Sequence, residues 1–181
     1  MARMSTDPLR QLVEAAREGD DVAVRHLVRA TQPMVWRLCT ALGSPGEEDD
    51  LVQETYLRAL GSLDRYRADA PVLPWILSIA RHVCADHVRR RVRQRRLVDR
   101  LTRFAAVDTA ELVPPSSSAS LDELVDALEP DRRDAFVLTQ VMGLSYEEAA
   151  EVVGCPIGTI RSRVARARAD LLTAVRLADA Q

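Results

Sequence analysis

The sequence predicts an all-α fold of two small helical domains joined by a partly flexible linker. Apolar residues recur at helical spacing along most of the 181 residues, and alternating runs rich in β-branched residues are absent. The run Val113-Pro114-Pro115-Ser116-Ser117-Ser118-Ala119-Ser120 interrupts that periodicity and divides the chain. With 47% hydrophobic residues the chain can bury a core, which excludes wholesale disorder. No apolar run is long enough for a transmembrane helix and no apolar leader segment opens the sequence, so no membrane insertion is expected.

Each element follows from local signals. Asp7 and Pro8 make a cap and first turn for a helix reaching about Glu18. Asp20-Asp21 start a second, with Val24, Leu27, Val28, Val35, Leu38 and Leu42 as its apolar positions; Pro33 falls inside it and is expected to bend or divide it. Gly43-Ser44-Pro45-Gly46 breaks the chain before a third helix over 47–63. The stretch from Tyr66 to Pro74, with two prolines, is expected to be an ordered loop, and a fourth helix runs from Trp75 to about Arg96. Beyond the linker come a helix at 121–128, a break at Glu129-Pro130 and a helix at about 131–142. The expected domains are therefore 8–96 and 120–177, with 97–119 between them part helix and part flexible.

A formal net charge of −2 argues against a nucleic-acid binder only while it is averaged. Residues 1–80 carry −3, 81–103 carry +7, 104–151 carry −9 and 152–181 carry +3. Two basic stretches separated by an acidic one suggest two separate contacts with a polyanion. All 25 basic residues are arginine, whose planar fork suits phosphates and base edges. A GC-rich genome produces the same bias.

Cys39, Cys84 and Cys155 are too few and scattered for a disulfide framework and fit a reducing cytoplasm. His82, Cys84, Asp86 and His87 invite a metal reading, but the two histidines lie about 140° apart around a helix. No metal, no cofactor and no catalytic residue is expected: Gly-rich phosphate loops, nucleophile elbows and paired carboxylates are missing, so the chain is not read as an enzyme.

Near the C-terminus, Gly143 ends one helix and Ser145-Tyr146-Glu147-Glu148 forms a capping box for the next. That helix stops at Gly154, and Pro156 opens the following one. Two helices joined by a short Gly-containing turn are the helix-turn-helix pattern. On the last helix Ile157, Ile160, Val164 and Leu171 face inward. Opposite lie Gly158, Thr159, Ser162, Ala165 and Arg166, flanked by Arg161 and Arg163. Small residues let the backbone sit deep in a major groove, and arginines at the rim reach phosphates or guanine edges.

In the N-terminal half, Val52, Thr55, Tyr56 and Ala59 share a core arc of the third helix. Asp50, Gln53, Glu54 and Leu57 lie on the far arc, where an acidic edge with an exposed leucine suits protein docking. The fourth helix buries Ile76, Ile79, Ala80, Val83, Cys84 and His87 on one side. Ser78, Arg81, His82, Ala85 and Arg89 lie toward the other, beside Trp75. A tryptophan next to a basic face suits single-stranded DNA, although a Trp at a helix start is as often simply core.

Three of these runs carry a family resemblance. Asp50-Leu51-Val52-Gln53-Glu54-Thr55-Tyr56-Leu57-Arg58-Ala59 resembles region 2.2 of bacterial extracytoplasmic-function (ECF) sigma factors. Trp75-Ile76-Leu77-Ser78-Ile79-Ala80-Arg81-His82, continuing through Asp86-His87-Val88-Arg89-Arg90, resembles regions 2.3 and 2.4. Gly143 to Ala150 and Pro156 to Arg163 resemble region 4.2. The resemblance implies a sigma factor that docks core RNA polymerase and reads promoter DNA. Asp50, Gln53, Glu54 and Leu57 would meet the β′ clamp helices, and the second domain the β flap. Trp75, Arg81, His82, Arg89 and Arg90, with the 65–74 loop, would hold the unwound −10 strand. Thr159, Arg161, Ser162, Arg163, Ala165 and Arg166 would read the −35 element. Many members of the family also have an anti-sigma factor as partner. Two departures stand out: His82 occupies a position where the family usually has Asn, and Leu73-Pro74 replace polar or basic residues. The alternatives are a stand-alone helix-turn-helix regulator, which needs a dimerisation helix or ligand pocket, and a helical protein that only sequesters another factor.

Overall fold

The first four N–H groups of a helix have no partner within it, so helices begin where a side chain can take them up. One carboxylate does this twice. The computed structural model describes residues 7–67, 70–105 and 121–179. In it Asp7 Oδ1 accepts from the Leu9 N–H at 3.0 Å, capping α1 (Pro8–Arg17), while Asp7 Oδ2 accepts from the Val72 N–H at 2.8 Å. The second bond caps α4 (Val72–Ala105), which therefore begins three residues before the expected Trp75. Leu73 and Pro74 thus belong to the first turn of a helix, not to a strand-gripping loop, and Pro74 is buried. A proline costs nothing there, because its missing N–H is one of the unpaired four.

Asp20 caps α2 (Asp21–Leu42) by accepting from Val22 and Ala23 at 2.7 and 3.2 Å. Pro33 does not divide α2, which is continuous through it. The carbonyl deprived of its partner belongs to Arg29, an exposed residue, where water can substitute. Helix α3 (Glu48–Leu60) ends earlier than the expected residue 63. The Ser62 hydroxyl donates to the Arg58 carbonyl at 2.7 Å, and the chain turns through a 3₁₀ segment, Leu63–Arg65, that buries Leu63.

These helices close around Val13, Leu27, Val35, Leu38, Leu51, Val52, Ile76, Ala80 and Val83. Thr31 and Tyr56 are buried among them as a pair. The Thr31 hydroxyl donates to the Leu27 carbonyl at 2.9 Å and lies 2.8 Å from the Tyr56 hydroxyl, so neither polar atom is abandoned. Burial pushes the Tyr56 hydroxyl above its ordinary pKa. Cys39 and Cys84 meet between α2 and α4, where their mutual hydrogen bond and burial keep the Cys84 thiol protonated.

The second unit comprises α5 (Leu121–Asp126), α6 (Pro130–Phe136), α7 (Tyr146–Val153) and α8 (Ile157–Asp179). The helix expected at 131–142 changes character at Val137, and Val137–Val141 is π-helical. Gly143 (φ +76°) then releases the chain into α7, where Ser145 and Glu148 form the expected capping box, at 3.2 and 2.8 Å. Gly154 (φ +74°) turns the chain from α7 into α8.

The two units do not hang apart on the linker. Ala135, Val137, Leu138, Met142, Ala149, Val152, Ile160 and Val164 belong to the same continuous core as α1–α4, and α7 packs along α4. Arg37 donates to the Val141 carbonyl at 2.8 Å and Arg133 to the Ala41 carbonyl at 2.9 Å, stitching the seam. Leu77, absent from the expected core face of α4, is fully buried within this shared core. The α4 helix carries the beginning of the expected 97–119 linker as helix to Ala105; its remainder lies outside the described residues.

Two stability predictions follow from these joints. Asp7→Ala removes two helix caps at once and is expected to cost about 2 kcal/mol in urea unfolding, against less for Asp7→Asn. At Gly154 an added Cβ would meet nothing within 4 Å, so the penalty of Gly154→Ala is backbone strain alone, about 1–2 kcal/mol. Gly154→Asn should recover part of it.

Candidate functional site

Three surfaces hold the residues singled out from the sequence. On α3, Asp50 and Gln53 are exposed and Leu57 is 61% exposed, an unusual condition for a leucine next to the buried Tyr56. Glu54 is half-exposed and bonded to Arg58 at 2.7 Å. The expected core arc beneath them, Val52, Thr55, Tyr56 and Ala59, is buried throughout, and Leu51 joins it. Four side chains spaced 50, 53, 54, 57 on a helix anchored this way form one ridge.

The second surface lies along α4. Trp75 is half-buried, its ring 5.0 Å from that of Tyr66 at a 50° tilt, and packs on the core edge. Tyr66 is pinned by the Arg17 guanidinium, 5.8 Å from its ring centre and bonded to the Leu63 and Tyr66 carbonyls. His82 is exposed. A carbonyl can only accept, so its Nδ1 donates to Ser78 O at 2.6 Å and its Nε2 accepts from Arg81 at 3.1 Å. Arg89 and Arg90 are exposed further along. His87, expected on the buried side, is half-buried and pairs with Glu47, which also binds Arg91 at 3.4 Å. Ile79 is likewise half-buried. The His82, Cys84 and His87 side chains thus go to three different surroundings, as the helical spacing requires.

Arg81 does not stand free beside them. Its Nη1 pairs with Asp134 of α6 at 3.0 Å, and the two side chains are only 15% and 17% exposed. Burial drives the Asp134 carboxyl above the ordinary carboxylate range, opposed by Arg81. Desolvation outweighing attraction is the normal balance for a pair taken out of water. Sequence reasoning missed Asp134, since nothing local signals a partner 53 positions away.

The third surface is the outer face of α8. Arg161, Ser162, Ala165 and Arg166 are exposed, while Ile160, Val164, Ala167 and Leu171 are buried. Thr159 is half-buried, and its carbonyl accepts from Ser162 at 2.9 Å. Ile157, expected in the core, is half-buried. Arg163 is drawn off the face by Asp131, with Cys155 beside it. The face is thus small at its centre and cationic at its ends, a composition suited to a groove lined with phosphates.

No helix among the described residues is long and apolar enough to cross a membrane. Comparison with known proteins supplies the family. Residues 27–94 match Sigma-70 region 2, and residues 118–171 match Sigma-70, region 4. The chain is 45% identical over 168 residues to a probable RNA polymerase sigma-C factor of Mycobacterium bovis, covering 89% of this chain and 88% of that protein. It is 30% identical over 187 residues to the ECF RNA polymerase sigma-E factor of Escherichia coli, covering 93% of each. Among solved structures, CnrH in complex with the cytosolic domain of CnrY superposes with a TM-score of 0.70 at 26% identity, covering 93% of this chain and 97% of that one. The sigma factor RpoE bound to the anti-sigma factor NepR from Bartonella quintana gives 0.64 at 28% identity, covering 84% and 96%. With both sigma-70 regions matched in order, and relatives similar along nearly their whole length, the chain belongs to the ECF sigma factors of bacterial RNA polymerase.

Proposed function

We propose that the three surfaces divide the work of a promoter-specificity subunit. The ridge Asp50, Gln53, Glu54 and Leu57 docks on the β′ clamp helices of core polymerase. Trp75, Arg81, His82, Arg89 and Arg90 hold the −10 single strand. Thr159, Arg161, Ser162, Arg163, Ala165 and Arg166 read the −35 duplex, and the second unit meets the β flap. The work is done in the cytoplasm. The observation that carries this reading is that α8 exposes Arg161, Ser162, Ala165 and Arg166 while burying the opposite face. Small residues between exposed arginines let the helix backbone approach the floor of a major groove while the guanidinium groups reach its rim.

In the free chain the −10 surface is compromised, because Arg81 is committed to Asp134. This supports a cycle in which the isolated factor binds promoters poorly and polymerase, by pulling the units apart, releases Arg81. An anti-sigma factor would act in the opposite sense. The cleft between α2 and α6, lined by Trp36, Ala41, Phe136 and Val141, offers such a partner an apolar seat.

Run-off transcription with core polymerase is the direct test, and promoter-specific initiation is the expected result. Arg161→Ala with Arg166→Ala should abolish dependence on the −35 element, and a stand-alone regulator would give no specific transcript at all. Asp134→Asn stands in for the protonated carboxyl and removes the charge that burial penalises, so it should leave the closed arrangement at least as stable as in the wild type. The expected signs are a radius of gyration in X-ray scattering no larger than that of the wild type, and binding of forked DNA by the chain alone no tighter. The pH response has a definite sign. The Asp134 pKa is higher in the closed state than in the open one, so closure takes up a proton. Closure is strongest below the ordinary carboxylate range and weakens as pH rises through the raised pKa. Scattering across that acidic window should show expansion with rising pH in the wild type and none from this source in Asp134→Asn.

A further inference from the structure

The charged residues between α3 and α4 form an unbroken chain that links two of the proposed surfaces. Glu54, on the docking ridge, accepts from Arg58 Nε at 2.7 Å. Arg58 Nη1 reaches across to Asp86 Oδ2 at 3.1 Å, and Arg89 Nη2 takes Asp86 Oδ1 at 2.6 Å. Asp86 is therefore divided between two arginines, one oxygen each, and its carboxyl is held below the usual range, chiefly by Arg89 and then by Arg58. Arg58 is in turn divided between two carboxylates. Arg89, at 65% exposure, is the most solvent-facing member and the one assigned to the −10 strand.

We propose that Asp86 is a positioning residue that makes the availability of Arg89 depend on the state of Glu54. This rests on the reading of Arg89 as a −10 contact. When a partner takes the Glu54 carboxylate, Arg58 loses one of its two acceptors. A guanidinium presents donors in a planar fork and pairs best with both oxygens of one carboxylate. Arg58 then competes for Asp86 Oδ1, and Arg89 is released to a phosphate. Docking on polymerase thereby strengthens the hold on the strand, and by linkage strand capture strengthens docking. Exposed ion pairs contribute little singly, so the coupling is a matter of a few-fold in affinity, suited to biasing an assembly.

The test is a double-mutant cycle on the full chain, using a short fluorescently labelled oligothymidylate at low salt. Glu54→Gln mimics loss of the Glu54 charge to a partner and should raise oligonucleotide affinity about threefold in the wild-type background. In the Asp86→Asn background, where Arg89 is already released, the same substitution should change nothing. Asp86→Glu should restore the dependence on Glu54. Simple removal of negative charge raises affinity by the same factor in both backgrounds, and that result would overturn the proposal. So would an Asp86→Asn variant that merely binds less and unfolds more easily, the outcome of a purely structural role. Arg89→Ala separates the two levels. If it leaves oligonucleotide affinity unchanged, the assignment of Arg89 to the strand fails, and the coupling with it; if it weakens binding while the cycle is additive, only the coupling fails.

Discussion

Helix α4 is packed on two sides, and most of the architecture depends on that fact. On one side it closes the core of the first unit with α2 and α3; on the other it receives α7 of the second. Its residues Ile76, Leu77, Ala80, Val83 and Cys84 are all nearly inaccessible and span an arc of about 120° around the helix. Apolar burial is non-directional and scales with area, so it brings the two units together without specifying how. Direction comes from the polar groups at the seam. Arg37, Arg81 and Arg133 each reach a carbonyl or carboxylate across it, and a shift of register would strand a guanidinium away from water.

On the proposed function the chain must be both compact and separable. The seam reconciles these demands by placing a buried ion pair within an apolar contact. The pair stabilises closure less than an apolar pair of the same volume would, because both charges give up water. It nevertheless penalises partial opening, which would expose one partner before the other. The raised pKa of Asp134 records the cost of that arrangement. By contrast, the network around Asp86 is half-exposed and screened, so it can be rearranged at small cost.

Local chemistry was legible where the determinants are close in sequence. The capping box at Ser145 and Glu148, the positive φ at Gly143 and Gly154, the Asp20 cap and the exposed face of α8 depend on residues within a few positions of one another. The ridge from Asp50 to Leu57 was legible for the same reason. Features with a remote determinant are not legible in this way. The start of α4 depends on a cap from Asp7, 65 residues earlier, which no local signal announces. Leu77 is buried and Arg81 is paired with Asp134 of α6, from the other half of the chain, which no local pattern signals. Pro33 is accommodated within α2, where the carbonyl it leaves unpaired belongs to the exposed Arg29.

By itself, then, the sequence determined the helical class, the helix-turn-helix, the partition of charge and which residues share each of the three helix surfaces. All of these follow from periodicity, capping and composition, which act over a turn or two of helix. Only the tertiary structure decided which members of those surfaces are available. It commits Arg81 to Asp134, turns Arg163 toward Asp131, and threads Glu54, Arg58, Asp86 and Arg89 into one chain. The reason is physical: a guanidinium on a long, flexible stem takes the nearest carboxylate in space, and spatial proximity is fixed by packing.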